Sequence, residues 1–295
     1  MCRCRPNIPV GAECYICLNQ AAPGQLRGDL VRGCSCRGPH AGFAHIRCLV
    51  KNAEENGEHD DEDYFKALIM CGQCRQEYRG PVYGALMRAA WLHFAGRAET
   101  DEYRQTALGN LGSTLTNVDR LDEALGIYEE DLTTMRRLYG PDNGKTIEVE
   151  ESIAMSLLHA GGPYQANTDK TRSALNILTR VLAWKTNAYG RDHELTLSVV
   201  GLLAGAQARL GNVAEAERLY RDLWAANRRV HGAEHAATLE AAVLLVETLV
   251  CQRMKIPGKI DEARDIYTQI EPVVRRVLGP EHDLARFLIR FAPFL

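Results

Sequence analysis

Leu210-Gly211-Asn212-Val213-Ala214-Glu215-Ala216-Glu217-Arg218-Leu219-Tyr220, closed by Gly232-Ala233-Glu234-His235, is a pattern that recurs along the chain and decides its fold. Ala216 has Leu219 three and Tyr220 four positions on, which is one face of an α-helix. The glycine sixteen positions after the alanine ends that helix, since it is free to take positive φ. The same offsets recur from Ala124 (Ile127, Tyr128, Gly140), Ala174 (Ile177, Leu178, Gly190) and Ala263 (Ile266, Tyr267, Gly279). Six residues after three of these glycines stand Thr146, Thr196 and Thr238, which read as starts of the next helix. The unit is therefore helix A, turn, helix B, turn. Its period is 42 residues from Gly190 to Gly232, and the other two intervals are 50 and 47 because the A–B turns at 159–170 and 253–259 are longer. His193, His235 and His282 recur at one turn position and read as repeat architecture rather than catalysis. Pro272, inside the last helix B, is expected to kink or shift it.

The first eighty residues have another character, rich in Cys, Gly and Pro, with little helical periodicity before Lys51. Eight ligand-type residues stand there in pairs: Cys14 and Cys17, Cys34 and Cys36, His45 and Cys48, Cys71 and Cys74. A Cys-x2-Cys turn supplies half of a tetrahedral site, so four pairs make two closed sites. If the pairs alternate, Cys14, Cys17, His45 and Cys48 hold one zinc ion and Cys34, Cys36, Cys71 and Cys74 the other. Such interleaving would staple distant segments of a domain with few apolar residues, so both ions are structural. Phe43, Ile46 and Leu49 are expected to fill the small core between them. His40 is the competing ligand. Cys2 and Cys4 read as part of a flexible tail, the acidic run Glu54 to Asp63 as a solvated stretch, and Cys251 as a buried helical thiol.

Composition bounds the remaining choices. A chain of 295 residues exceeds one compact core, and its formal charge of -3 gives no footprint for nucleic acid. Seven of its ten cysteines stand at metal spacing with no signal peptide before them, which points to a reducing compartment, the cytoplasm with the nucleus also open. The most apolar run, Leu195 to Ala206, is too short for a membrane span. No phosphate-binding glycine loop, serine triad or paired-carboxylate site is present.

Two resemblances follow. Leu210-Gly211-Asn212, Glu215-Ala216-Glu217, Tyr220 and the Gly232 and Gly279 turns make residues 100–283 resemble the tetratricopeptide repeat family, in the longer units of kinesin light chains. Cys34-Ser35-Cys36-Arg37-Gly38, Phe43-Ala44-His45-Ile46-Arg47-Cys48-Leu49 and Cys71-Gly72-Gln73-Cys74-Arg75-Gln76-Glu77-Tyr78 make residues 13–79 similar to the RING-CH zinc finger. That resemblance implies a ubiquitin ligase acting without a covalent intermediate, which docks a ubiquitin-conjugating enzyme through Ile16 and bridges to ubiquitin through Arg75. Two departures stand out: eight residues between Cys36 and His45 where the family has seven, and Asn52 where many members place a tryptophan. A plant-homeodomain finger has the same ligand order, but its usual tryptophan position is Ile69 here.

The expectation is thus a mostly α protein: a flexible tail at 1–12, a cross-braced two-zinc finger at 13–80, and a connecting helix at 81–99. Four repeats then form an all-α solenoid at 100–283, with a capping helix at 284–295. Trp91 and Phe94 would seat the finger on the helices. The repeats would grip a protein client, making the whole a substrate-selecting ligase; the alternative is a scaffold joining proteins without chemistry.

Overall fold

The structure, a computed structural model, describes residues 12–18, 30–34, 36, 41–57, 60–159, 168–252 and 258–295. Cys2, Cys4, the Pro39-His40 turn and most of the two long A–B turns lie outside the described residues. The chain divides into two compact units, residues 1–140 and 141–295.

In the first unit, β1 (Leu30–Val31) pairs antiparallel with β2 (Ala44–His45), placing Leu30 opposite His45. Then come α1 (Ile46–Asn56), α2 (Asp61–Ile69), α3 (Gly80–Phe94), α4 (Glu102–Asn117) and α5 (Leu121–Tyr139). Helix α1 begins before the expected Lys51, because Leu49 and Ala53, four apart, already bury one face. The acidic run does more than meet solvent. Asp60 caps α2 by accepting from the Glu62 amide at 2.8 Å, and Asp61 accepts both guanidinium nitrogens of Arg97 at 2.6 and 2.7 Å. That pair holds the Asp61 carboxyl below its ordinary range. Phe43 and Leu49 are buried, with Ile46 packed beside them. Phe94 enters the same core as expected, whereas Trp91 stays half-buried along a groove that it shares with exposed Leu92.

The second unit contains α6 (Gly144–His159), α7 (Thr168–Tyr189), α8 (Glu194–Arg209), α9 (Val213–His231), α10 (Ala236–Gln252), α11 (Lys259–Leu278) and α12 (Asp283–Ile289). A short 3-10 turn, Ala292–Phe294, follows. Each helix packs on its chain neighbours. Helices α4, α6, α8 and α10 are the A members, and α5, α7, α9 and α11 the B members. Ala124, Ala174, Ala216 and Ala263 are all fully buried. A methyl group at that point leaves room for the neighbouring helix to approach. Helix α11 runs unbroken through the exposed Pro272. No helix among the described residues is long and apolar enough to cross a membrane.

The turns correct one expectation. The A helices start before the threonines, and the caps are the histidines: Nδ1 of His193, His235 and His282 accepts from the amides of Leu195, Ala237 and Leu284 at 3.2, 3.3 and 3.2 Å. Asn143 does the same for Lys145 at 3.0 Å. Thr196 and Thr238 instead donate their hydroxyls to the carbonyls of Gly190 and Gly232, both at 2.8 Å, which ties helix A to the end of the preceding helix B. The glycines Gly140, Gly190, Gly232 and Gly279 sit at φ from +87 to +93, where a side chain would be strained. Cys251, expected in the core, is exposed, because it falls on the one face of α10 that no neighbouring helix covers.

One core position breaks the repeat. Seven residues after the key alanine, α7, α9 and α11 carry buried Val181, Leu223 and Ile270, but α5 carries Asp131, only 6 % exposed. Burial pushes its carboxyl up to about 6, with Arg104 opposing. A folded carboxyl that titrates above the unfolded one (about 3.9) favours the fold at low pH. This contribution fades as pH rises from about 4 to about 6, leaving a penalty on the order of 2 kcal/mol at neutrality. Asp131→Val should therefore raise stability at pH 7 by about 2 kcal/mol and narrow the difference between pH 5 and pH 7 in urea unfolding. A variant no more stable than the native chain at pH 7 would contradict this account of the site.

Candidate metal centre and repeat surface

Two Cys-x2-Cys turns, built alike, present the ligands. The amide of Leu18 donates to the Cys14 carbonyl at 2.8 Å, and that of Arg75 to the Cys71 carbonyl at 2.9 Å. Closing each turn this tightly puts Leu18 and Arg75 into left-handed backbone at φ +57 and +55, a cost that non-glycine residues bear where a site needs it. The remaining ligands come from the end of β2 and first turn of α1 (His45, Cys48) and from the segment after β1 (Cys34, Cys36).

The structure brings Cys14, Cys17, His45 and Cys48 together, and separately Cys34, Cys36, Cys71 and Cys74. Within each group the ligand atoms lie within 4.8 Å of one another. Tetrahedral zinc, with Zn–S near 2.3 Å, sets sulfurs about 3.8 Å apart. Cys36 Sγ lies 3.7 Å from Cys71 Sγ, and His45 Nδ1 lies 3.5 Å from both Cys17 Sγ and Cys48 Sγ. These separations match the edges of a zinc coordination tetrahedron and are well beyond the roughly 2.05 Å of a disulfide. The electrostatics agree. Burial raises the Cys71 thiol, but the amides of Cys74 and Gln73 outweigh it and bring the group down to about 7. Burial and neighbouring sulfurs push Cys48 up to about 11 and Cys36 higher still. Four thiols or imidazoles this close ionise together only around a cation, so the two groups could each hold a metal ion.

Second-layer residues support them. Gly42 passes so close over the second group that a Cβ there would stand 2.6 Å from Cys36 Cβ. Its amide donates to Gln73 Oε1 at 3.2 Å. Tyr15, from the first turn, and Tyr78 share a 3.1 Å hydroxyl contact that bridges the two groups' supports. Leu18 and Gly42 carry no signal in the sequence, whereas Tyr15 and Gln73 each stand between two paired ligands and Tyr78 closes the stretch that resembles the RING-CH finger. Of the two sequence-derived contact residues, Ile16 is half-buried on the first turn and Arg75 is exposed. Arg75 borders a groove of about 360 Å³ with Asn52 and Tyr15, which does not include Ile16.

Comparison with known proteins places the helices. The tetratricopeptide repeat family matches residues 104–143 and 196–237. Among similar solved structures is BtubC (BKLC) from P. vanneervenii, with a TM-score of 0.57 at 14% identity, covering 80% of this chain and 91% of that one. Nearly identical TPR-like repeats of a protein from Podosopora anserina, described as a candidate kinesin light chain, give 0.50 at 16% identity, covering 78% and 95%. A single-substitution variant of it gives 0.51 at 14% identity, covering 79% and 96%. At these identities the likeness establishes the fold: a mostly α chain of tetratricopeptide-type helix pairs after a small cysteine-rich region. No curated protein sequence matches the chain.

Proposed function

We propose that this chain is a zinc-stabilised protein-interaction scaffold working in the reducing cytoplasm. Two structural zinc ions keep residues 13–80 folded as a contact module, a helix at 81–99 connects it, and the repeats at 100–283 hold a protein partner, capped by 284–295. The observation that carries the reading is the recurring A–B helix pair, legible in the sequence and matched to the tetratricopeptide family in two blocks. Such pairs leave one face of each A helix open for a partner segment. Cross-linking of the tagged full-length chain in a cell lysate, read by mass spectrometry, tests it. Partner cross-links on the open faces of α6, α8 and α10 support the scaffold; links confined to residues 13–80, or none, overturn it.

A narrower reading makes the finger a RING-CH type that recruits a ubiquitin-conjugating enzyme, with the client held by the repeats. It draws on ligand order and on Arg75, exposed beside the groove. Asn52 in that groove offers an amide where many such fingers offer apolar surface, which favours the scaffold. A self-ubiquitination assay with a panel of conjugating enzymes separates them. Activity lost in both Ile16→Ala and Arg75→Ala, with zinc retained, supports the ligase; no activity with any enzyme leaves the scaffold.

A further inference from the structure

Helix α10 reaches the surface along a single face, formed by Ala236, Glu240, Leu244, Glu247 and Cys251 with Ala237 at its edge. Its charged residues are two carboxylates and no cation. Among the described residues neither Glu240 nor Glu247 has a hydrogen bond or ion pair, and burial alone raises the Glu247 carboxyl.

Beside this face, within the field of Glu247 and Glu240, stands Tyr220 of α9, 5 % exposed, whose hydroxyl has no hydrogen-bond partner among the described residues. Tyr128, at the same place in the first repeat, does have one, donating to the Gly109 carbonyl at 3.4 Å. The Tyr220 hydroxyl instead reaches α8 at Gly205, 3.5 Å from where a Cβ would stand. Burial, then the field of Glu247 and Glu240, keeps its proton on, with Arg209 opposing. Arg209 is itself engaged with the Leu158 carbonyl. Glu240 also lines a groove of about 660 Å³ between α10 and α12, with Leu278, Leu284 and Phe287 along it and Asp283, Arg290 and the Glu281-paired Arg286 on the α12 side.

We infer that the open face of α10, with this groove, binds a basic extended segment of the partner protein. The inference rests on the scaffold reading and names the chemistry of what the repeats hold. Glu240 and Glu247 are seven residues apart on one helix, roughly 10 Å. That is close to the rise of three residues of an extended segment in the polyproline II conformation, whose side chains three apart share a face, so the partner carries cations at positions i and i+3. One meets Glu247 beside the Tyr220 hydroxyl and the other meets Glu240, while an adjacent apolar side chain enters the groove.

Fluorescence anisotropy on the full-length chain tests this. Three short labelled leucine-containing peptides are used, identical except that two positions three residues apart hold lysine, glutamine or glutamate. The lysine peptide is expected to bind, more weakly as salt is raised. Glu240→Gln combined with Glu247→Gln should weaken it about tenfold. Tyr220→Phe, which keeps the ring, should weaken it about threefold with thermal unfolding unchanged. A glutamate peptide that binds as tightly, a double variant with native affinity, or a lysine peptide that does not bind overturns the inference. Glutamine or glutamate peptides held by the repeats would leave the scaffold reading standing while this one falls.

Discussion

Serine in place of Cys71 is expected to remove a metal ion and unfold the amino-terminal finger, while the helices of residues 141–295 keep their fold. Cys71 is fully buried, and its sulfur lies 3.7 Å from that of Cys36. A serine hydroxyl there neither ionises near neutrality nor binds zinc as a thiolate does. Structural zinc contributes on the order of 10 kcal/mol to small domains of this type, more than a core of this size supplies without it. Elemental analysis should find two zinc ions in the native chain and at most one in the variant. Limited proteolysis should then cut between residues 12 and 79 while leaving 141–295 intact. Cys251→Ser, on the open face of α10, should retain both ions. Fewer than two ions in the native chain, or a protease-resistant Cys71→Ser, would end the two-ion reading.

Phe94→Ala should cost about 3–5 kcal/mol, the range for emptying a buried phenylalanine site. Phe94 has no exposed surface, and its ring centroid lies 5.7 Å from that of Tyr103, 5.8 Å from Phe65 and 5.5 Å from Tyr64. Arg97, held by Asp61, lies 4.6 Å over the same ring. One aromatic cluster therefore joins α2, α3 and α4, and a single apolar cluster takes in Ala12 beside the first ligand turn and Ala107 of α4. The loss should appear in two places: chemical denaturation at lower urea, and faster release of zinc to a chelator, since α2 leads directly into Cys71. A variant that unfolds earlier yet holds its metal as tightly as the native chain would show that the finger and α3 are energetically separate.

Much of the helical array was legible because its signal is local and repeated. A buried alanine, a bulky residue one turn on and a closing glycine recur at constant offsets, and each of the four alanines does lie buried in a helix pair. The roles of the turn residues were harder to read. Thr196 and Thr238 suit a helix cap by chemistry, but a histidine three residues earlier takes the cap, and which one does so depends on where the preceding glycine directs the chain. Helix α2 was missed because its sequence, Asp61-Glu62-Asp63-Tyr64-Phe65, is acidic at the surface end. Its helix rests on Asp60 as cap, on Arg97 across the core and on burial of Tyr64 and Phe65.

Ligand spacing and helical period are properties of neighbours along the chain, so residue order alone was enough to call for half-sites in pairs and helices in pairs. Which half-sites meet, how Gly42 and Gln73 crowd the second group, that Trp91 lies along a groove while Phe94 fills the core, and that Cys251 is exposed were settled by packing. Those outcomes hang on contacts between residues far apart in sequence. Their energies depend on distance and burial in the folded chain, and no local pattern encodes either.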